Sequence, residues 1–217
     1  MPLDPAHFPP VMALTQDGLG LSHVDQARAL TAAGARWIQL RMKNASPDVW
    51  LATAREVVTI CHDAGALCTI NDSVEIALAA EADGVHLGKL DGDWRAARVR
   101  LGGEKLLGGT VNFPVDARLA AAAHVLDYVG VGPLRFTTTK QKLAPVLGVE
   151  GIAALLPLLE GLPAWAIGGV RPSDLPSLRR AGLAGAAVSS ALFRDGRVAE
   201  NFRAFDDAWT IQPVSLS

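Results

Sequence analysis

The sequence predicts a single (β/α)8 TIM barrel over residues 1–217. Three observations point there. Short apolar runs alternate with longer helical segments, eight times along the chain. The runs are apolar on both sides, as parallel strands covered on both faces must be. Polar or glycine-rich residues follow the second to eighth runs, where a barrel of this kind gathers its active site. Half of the residues are hydrophobic and 19% are charged, enough apolar material for one large core. A doubly wound open sheet is the competing architecture. The first strand, however, lacks the glycine fingerprint that follows it in dinucleotide binders.

The elements follow in order. Residues 11–15 read as the first strand. Ser22 caps the next helix, with Asp25 at the capping-box position, and Gly34 ends it. Residues 37–40 form the second strand, and Arg41, Met42 and Lys43 leave its end. Ser46 and Pro47 open a helix as cap and first residue, and it runs to Gly65. The third strand, 67–70, runs into Asn71 and Asp72, with a helix over 74–82. The fourth, 84–87, is followed by Gly88, Lys89, Leu90 and Asp91 and a helix over 93–101. The fifth, 105–109, ends at Thr110, with a helix over 114–124. The sixth, 128–131, stops at Gly132-Pro133, which turns the chain. Residues 132–148 are too long for an ordinary βα connection. They hold Thr137, Thr138, Thr139 and Lys140, whose hydroxyls and ammonium suit an anion. A helix over 148–159 follows. The seventh strand, 164–167, ends in Gly168-Gly169, and a helix covers 172–181. The eighth, 185–188, ends in Ser189-Ser190, before a last helix over 198–209 and a frayed tail at 212–217.

A formal charge of −2 argues against a general nucleic-acid binder. No apolar run reaches a membrane span, and the first ten residues lack the regions of a signal peptide. A cytoplasmic protein with no membrane partner is expected. Cys61 and Cys68 lack metal-site spacing and read as reduced, buried thiols. The five histidines show no ligand spacing, and His86 reads as a packed residue. The five tryptophans read as packing residues. Ser189 has no visible histidine–carboxylate partner, so it is not read as a nucleophile.

Collected on one rim, the polar residues suggest two anion sites and a divalent metal. Gly168-Gly169 and Ser189-Ser190, ahead of helix N-termini, suit a phosphate monoester. Arg41, Lys43 and Lys140, with Asp72 and Asp91, suit a second anion held through a hard cation such as Mg²⁺. Rim salt bridges among the same residues are the alternative.

At these residues the sequence resembles the thiamine phosphate synthase family. Its QLR-x-K, IND and DGVHLG-x-x-D motifs stand here as Gln39-Leu40-Arg41-Met42-Lys43, Ile70-Asn71-Asp72 and residues 83–91. Its GP…T-x-TK loop and following LG, its AIGG and its VS stand as residues 132–140, Leu147-Gly148, residues 166–169 and Val188-Ser189. Each motif is modest, but the ordered set covers nearly the whole chain and is highly specific. The resemblance implies a transferase. It would join 4-amino-2-methyl-5-pyrimidinylmethyl diphosphate to a thiazole phosphate, of either the carboxy or the hydroxyethyl form, releasing diphosphate. It implies that Gln39, Leu40, Arg41, Met42, Lys43, Asn71, Thr110 and Lys140 hold the pyrimidine diphosphate. It implies Asp72 and Asp91 as Mg²⁺ ligands, and Thr137, Thr138, Thr139, Gly169, Val188 and Ser189 around the thiazole phosphate.

The pyrimidine's amino group can stabilise a methylene cation, so diphosphate can leave before attack. Mg²⁺ and the catalytic cations Arg41, Lys43 and Lys140 would neutralise the leaving group. The thiazole nitrogen is already a nucleophile, so no general base is required. The long loop is expected to close as a lid and bring Lys140 to the diphosphate.

The chain also departs from the family pattern. Met42 stands where many members carry Glu, Lys89 where they carry Gln, Phe136 where they carry Pro, and Thr110 where Ser is common; Arg135 adds a cation. Two other readings use the same residues. A thiazole tautomerase of the same superfamily would carry a histidine at Pro133 and would not need Lys43, Asn71, Asp72 and Lys140 together. A non-catalytic phosphate-ligand binder would not need the carboxylates. Small-molecule partners are implied; a homo-oligomer is allowed, and its order is not specified.

Overall fold

The computed structural model describes residues 8–136 and 145–210. Among them, strands β1 (Val11–Leu14), β2 (Trp37–Leu40), β3 (Leu67–Asn71), β4 (Gly84–Leu87), β5 (Leu106–Val111), β6 (Tyr128–Val131), β7 (Ala164–Ile167) and β8 (Gly185–Val188) form a closed barrel. Each strand pairs in parallel with the next, and β8 pairs with β1. The helices between them are α1 (His23–Ala32), α2 (Pro47–Asp63), α3 (Val74–Ala79), α4 (Trp94–Leu101), α5 (Pro114–Ala123), α6 (Gly148–Leu155) and α7 (Leu175–Arg180); α8 (Val198–Thr210) follows the last strand. No helix of the described residues is long and apolar enough to cross a membrane.

Local chemistry sets the helix starts. The Ser22 hydroxyl accepts the Asp25 N–H at 3.1 Å and donates to the Asp25 carboxylate at 2.7 Å. Ser46 receives the Val49 N–H, and Asp93 the Ala96 N–H at 2.8 Å. Each cap satisfies a donor that the helix leaves open, worth about 1 kcal/mol.

Some boundaries differ from those expected. α3 stops at Ala79 because Glu81 takes a left-handed conformation, φ +58, and the Ala82 N–H closes back on Ala77. α6 gives way to a 3-10 turn over Leu156–Leu159, where Pro157 has no N–H to continue an α-helix. A 3-10 turn, Pro172–Asp174, precedes α7. β5 runs on through Thr110 and Val111, which pair with Gly130 and Val131.

Side chains alternate between the two sides of the barrel wall. Val11, Ala13, Ile38, Leu40, Cys68, Ile70, Val85, Leu87, Val129, Val131, Ala186 and Val188 face out into one core cluster shared with the helices. Inside lies a second cluster built on Phe8, Met12, Trp37, Tyr128 and Trp165. The Trp37 ring meets Tyr128 edge-on at 4.9 Å and Trp165 at 5.2 Å, and Phe8 closes on Trp37 at 5.5 Å. Trp37 and Trp165 are therefore packing residues, and they fill the barrel beneath the site.

Glycines make room for these rings. A Cβ on Gly108 would fall 2.2 Å from Tyr128 Cζ, and one on Gly185 would fall 2.1 Å from the Pro10 carbonyl oxygen and 2.3 Å from Trp165 Nε1. Gly185→Ala is expected to destabilise the fold by about 1–3 kcal/mol through overpacking. Urea unfolding of the purified variant checks this; an unchanged midpoint would contradict the packing described.

Candidate active site

The interior face changes character toward the C-terminal strand ends. Gln39, Asn71, His86 and Thr110 occupy interior positions above the aromatic layer. Gln39 is 2% exposed, and its amide donates to the Met12 sulfur at 3.3 Å. Asn71 is nearly buried, and the Thr110 hydroxyl lies 3.0 Å from His86 Nε2. His86 is thus packed, as read from the sequence, but it packs on the floor of the site. Leu40 and Val188 point the other way, into the layer under the helices. Only their backbone is available to a ligand. Met42 is partly buried against the same outer core.

Arg41 and Lys43 leave β2 on the rim. The Lys43 ammonium pairs with Asp72. Asp72 follows β3 with φ +71, and its N–H bonds to the His86 carbonyl at 2.8 Å. A left-handed non-glycine residue at a strand end is the kind of local strain that collects at functional sites. Asp91 turns back so that its carboxylate accepts the Gly88 N–H at 2.8 Å. Burial of the carboxyl and then the neighbouring Asp72 carboxylate push Asp91 up, against the pull of the Gly88 N–H and Lys43. The expected pair of carboxylates is therefore together, beside Lys43. Two acids held this close, with oxygen donors only, fit a hard divalent cation.

On the opposite side, Gly168 (φ +92) and Gly169 (φ +67) form the turn after β7. Ser189, after β8, donates to Gln16 Oε1 at 3.2 Å. The β6 loop is sewn to this turn. The Leu134 N–H bonds to the Ile167 carbonyl at 2.8 Å and the Arg135 N–H to the Gly168 carbonyl at 2.9 Å. The described feet of the loop are joined to each other, Leu147 N–H to Pro133 and Gly148 N–H to Leu134. Thr137, Thr138, Thr139 and Lys140, and with them the expected lid, lie outside the described residues.

The two cations that depart from the family pattern already have carboxylate partners. Arg135 forks onto Asp174, with Nη2 donating to Oδ1 at 2.7 Å and Nη1 to Oδ2, and Nη1 also reaches the Gly169 carbonyl at 3.3 Å. Lys89 lies 2.5 Å from Asp116 and 4.5 Å from the centre of the Phe113 ring. Both cations are accounted for without a phosphate. Arg135 braces the glycine turn, a role its position in the sequence did not signal.

Burial alone would raise the Asp174 carboxyl, but the Arg135 fork and the Arg171 N–H outweigh it and hold it below the ordinary carboxylate range. A depressed folded-state value stabilises the protein above the unfolded value, about 3.9, and that stability is lost as pH falls through the folded value. Asp174→Asn is therefore expected to lower stability at neutral pH and to flatten its fall below about pH 4. Denaturant unfolding across the acid range checks this; parallel pH curves for the two proteins would contradict it.

A parallel barrel that gathers a glycine turn, a cationic strand end and a carboxylate pair on one rim belongs with the phosphate-handling (β/α)8 enzymes. The family model for thiamine monophosphate synthase matches residues 11–192. The thiamine-phosphate synthase of Myxococcus xanthus is 44% identical over 189 residues, covering 87% of this chain and 86% of its own length. That of Bacteroides fragilis is 40% identical over 185 residues, covering 83% and 90%. Among solved structures, the thiamine phosphate pyrophosphorylase of Pyrococcus furiosus superposes with a TM-score of 0.80 at 27% identity, covering 92% of this chain and 94% of that one. The chain belongs to the thiamine monophosphate synthase family.

Proposed function

We propose that this barrel couples 4-amino-2-methyl-5-pyrimidinylmethyl diphosphate to a thiazole phosphate, forming thiamine phosphate and free diphosphate in the cytoplasm. The observation that carries the reading is the cluster of Lys43, Asp72 and Asp91, with Arg41 on the same loop. A simple phosphate binder has no use for two adjacent carboxylates, and the one Lys43 ammonium paired with Asp72 balances the charge of only one of them.

Asp72 and Asp91 would hold Mg²⁺. Once bound, the ion would supply neutralisation of the charge that builds on the leaving diphosphate. Arg41 and Lys43 approach the same region from the end of β2, and Lys140, by family resemblance, adds a third cation. Gln39, Asn71 and Thr110 form a polar floor suited to an aminopyrimidine, with the backbone at Leu40 and Met42 alongside. Gly169, Val188 and Ser189, with Thr137, Thr138 and Thr139, would receive the thiazole phosphate, Val188 through its backbone. The aromatic layer beneath closes the barrel and keeps water from a reactive pyrimidine cation. The thiazole nitrogen attacks without losing a proton, so no residue is assigned as a base.

Calorimetry tests the two-subsite arrangement. The pyrimidine diphosphate should bind measurably only with Mg²⁺, and the thiazole phosphate with or without it. Equal affinity for the pyrimidine diphosphate in excess chelator would overturn the metal assignment.

A further inference from the structure

His23 belongs to none of the motifs above, yet it is only 8% exposed and both of its ring nitrogens are engaged. It is the first residue of α1. Nδ1 lies 2.8 Å from the Thr15 hydroxyl, and Nε2 lies 3.1 Å from Asp17 Oδ1. Thr15 is fully buried, and it and Asp17 each hold one further group. Both groups are on the segment leaving β2. The Arg41 N–H donates to Thr15 Oγ1 at 3.1 Å, and the Lys43 N–H donates to Asp17 Oδ2 at 3.0 Å.

The order of protons follows from the partners. An ionised carboxylate only accepts, so Nε2 donates to Asp17. In the neutral ring Nδ1 then accepts the Thr15 hydroxyl, whose lone pairs remain for the Arg41 N–H. The result is one connected chain in which each donor meets an acceptor. It starts where the β-ladder stops, since the bond from the Thr15 N–H to the Gln39 carbonyl, 3.0 Å, is the last backbone link before the rim.

We propose that Thr15, His23 and Asp17 form a positioning brace for the segment from Arg41 to Lys43. It fixes the backbone of the two cations before a ligand arrives, so that their charge is preorganised where the leaving diphosphate develops its own. None of the three residues needs to touch substrate. The proposal rests on the reading of Arg41 and Lys43 as the diphosphate end of the site.

The test uses Thr15→Val, which keeps the branched shape and removes the hydroxyl, Thr15→Ser, which restores it, and His23→Leu, which removes both ring contacts at the rim. Amide hydrogen exchange is read at Arg41, Lys43 and Ile38, and KM is measured for each substrate. Thr15→Val and His23→Leu should speed exchange at Arg41 and Lys43 about tenfold, the scale of one lost hydrogen bond, and leave Ile38 unchanged. Both should raise KM for the pyrimidine diphosphate about tenfold without moving KM for the thiazole phosphate. Thr15→Ser should behave as the parent in both measurements. If Thr15→Val does not fold, His23→Leu against the parent carries the comparison. Unchanged exchange at Arg41 and Lys43 would overturn the brace. Faster exchange with both KM values unmoved would overturn its link to the site. Neither result touches the proposed reaction, which stands or falls on formation of thiamine phosphate by the parent protein.

Discussion

Asp72→Ala is expected to lose about 10²-fold or more of the rate of thiamine phosphate formation. Two contributions fall together. The substitution removes a carboxylate from the proposed Mg²⁺ site. It also removes the carboxylate that pairs with the Lys43 ammonium. The backbone at this position is left-handed, φ +71, and alanine tolerates that less well than aspartate does. Some loss of stability is therefore expected as well, and the rate must be measured well below the unfolding temperature. Asp72→Asn separates the two effects: it keeps the backbone preference and the shape but removes the charge. Both variants should lose rate, and Asp72→Asn should lose little stability. Parent-like kcat in Asp72→Asn would remove Asp72 from the metal site.

Gly169→Val is expected to raise KM for the thiazole phosphate tenfold or more, the effect of about 1.4 kcal/mol. Gly169 holds φ +67, where a β-branched residue is strongly disfavoured. A Cβ there would stand 2.9 Å from the Arg135 Cβ, so the turn must shift or the β6 loop must give way. That loop is tied to the turn by the Arg135 N–H and by the guanidinium fork to Asp174, so displacement of one carries the other. Steady-state kinetics at saturating pyrimidine diphosphate check this. An unmoved KM for the thiazole phosphate would place that subsite elsewhere.

The architecture was legible because it depends on patterns that one sequence carries. β2, β4, β6, β7 and β8 begin and end where their apolar runs do, and Ser22 and Ser46 mark their helices by side-chain chemistry alone. The strand expected over 105–109, ending at Thr110, instead spans Leu106–Val111. Thr110 and Val111 continue the pairing with Gly130 and Val131, and Gly108 admits the Tyr128 ring from the neighbouring strand. The helix expected over 74–82 stops at Ala79 because Glu81, not a glycine, supplies the left-handed turn.

In the site, the meeting of Lys43, Asp72 and Asp91 could be anticipated because all three leave neighbouring strand ends. The partners of Arg135 and Lys89 could not, since Asp174 and Asp116 sit near helix starts whose side chains sequence spacing does not aim. The outward direction of Leu40 and Val188 follows from strand alternation once the register is known, and the register is not readable from one chain. The role of His23 is not legible in the sequence, because its partners, Thr15 and Asp17, form no recognised spacing with it.

The most direct measurement is product formation by the purified parent protein supplied with both substrates and Mg²⁺. Thiamine phosphate and diphosphate should appear in equal amounts. Omitting either substrate, or adding excess chelator, should abolish both. Absence of thiamine phosphate with the folded protein, both substrates and Mg²⁺ present would contradict the reading of this site.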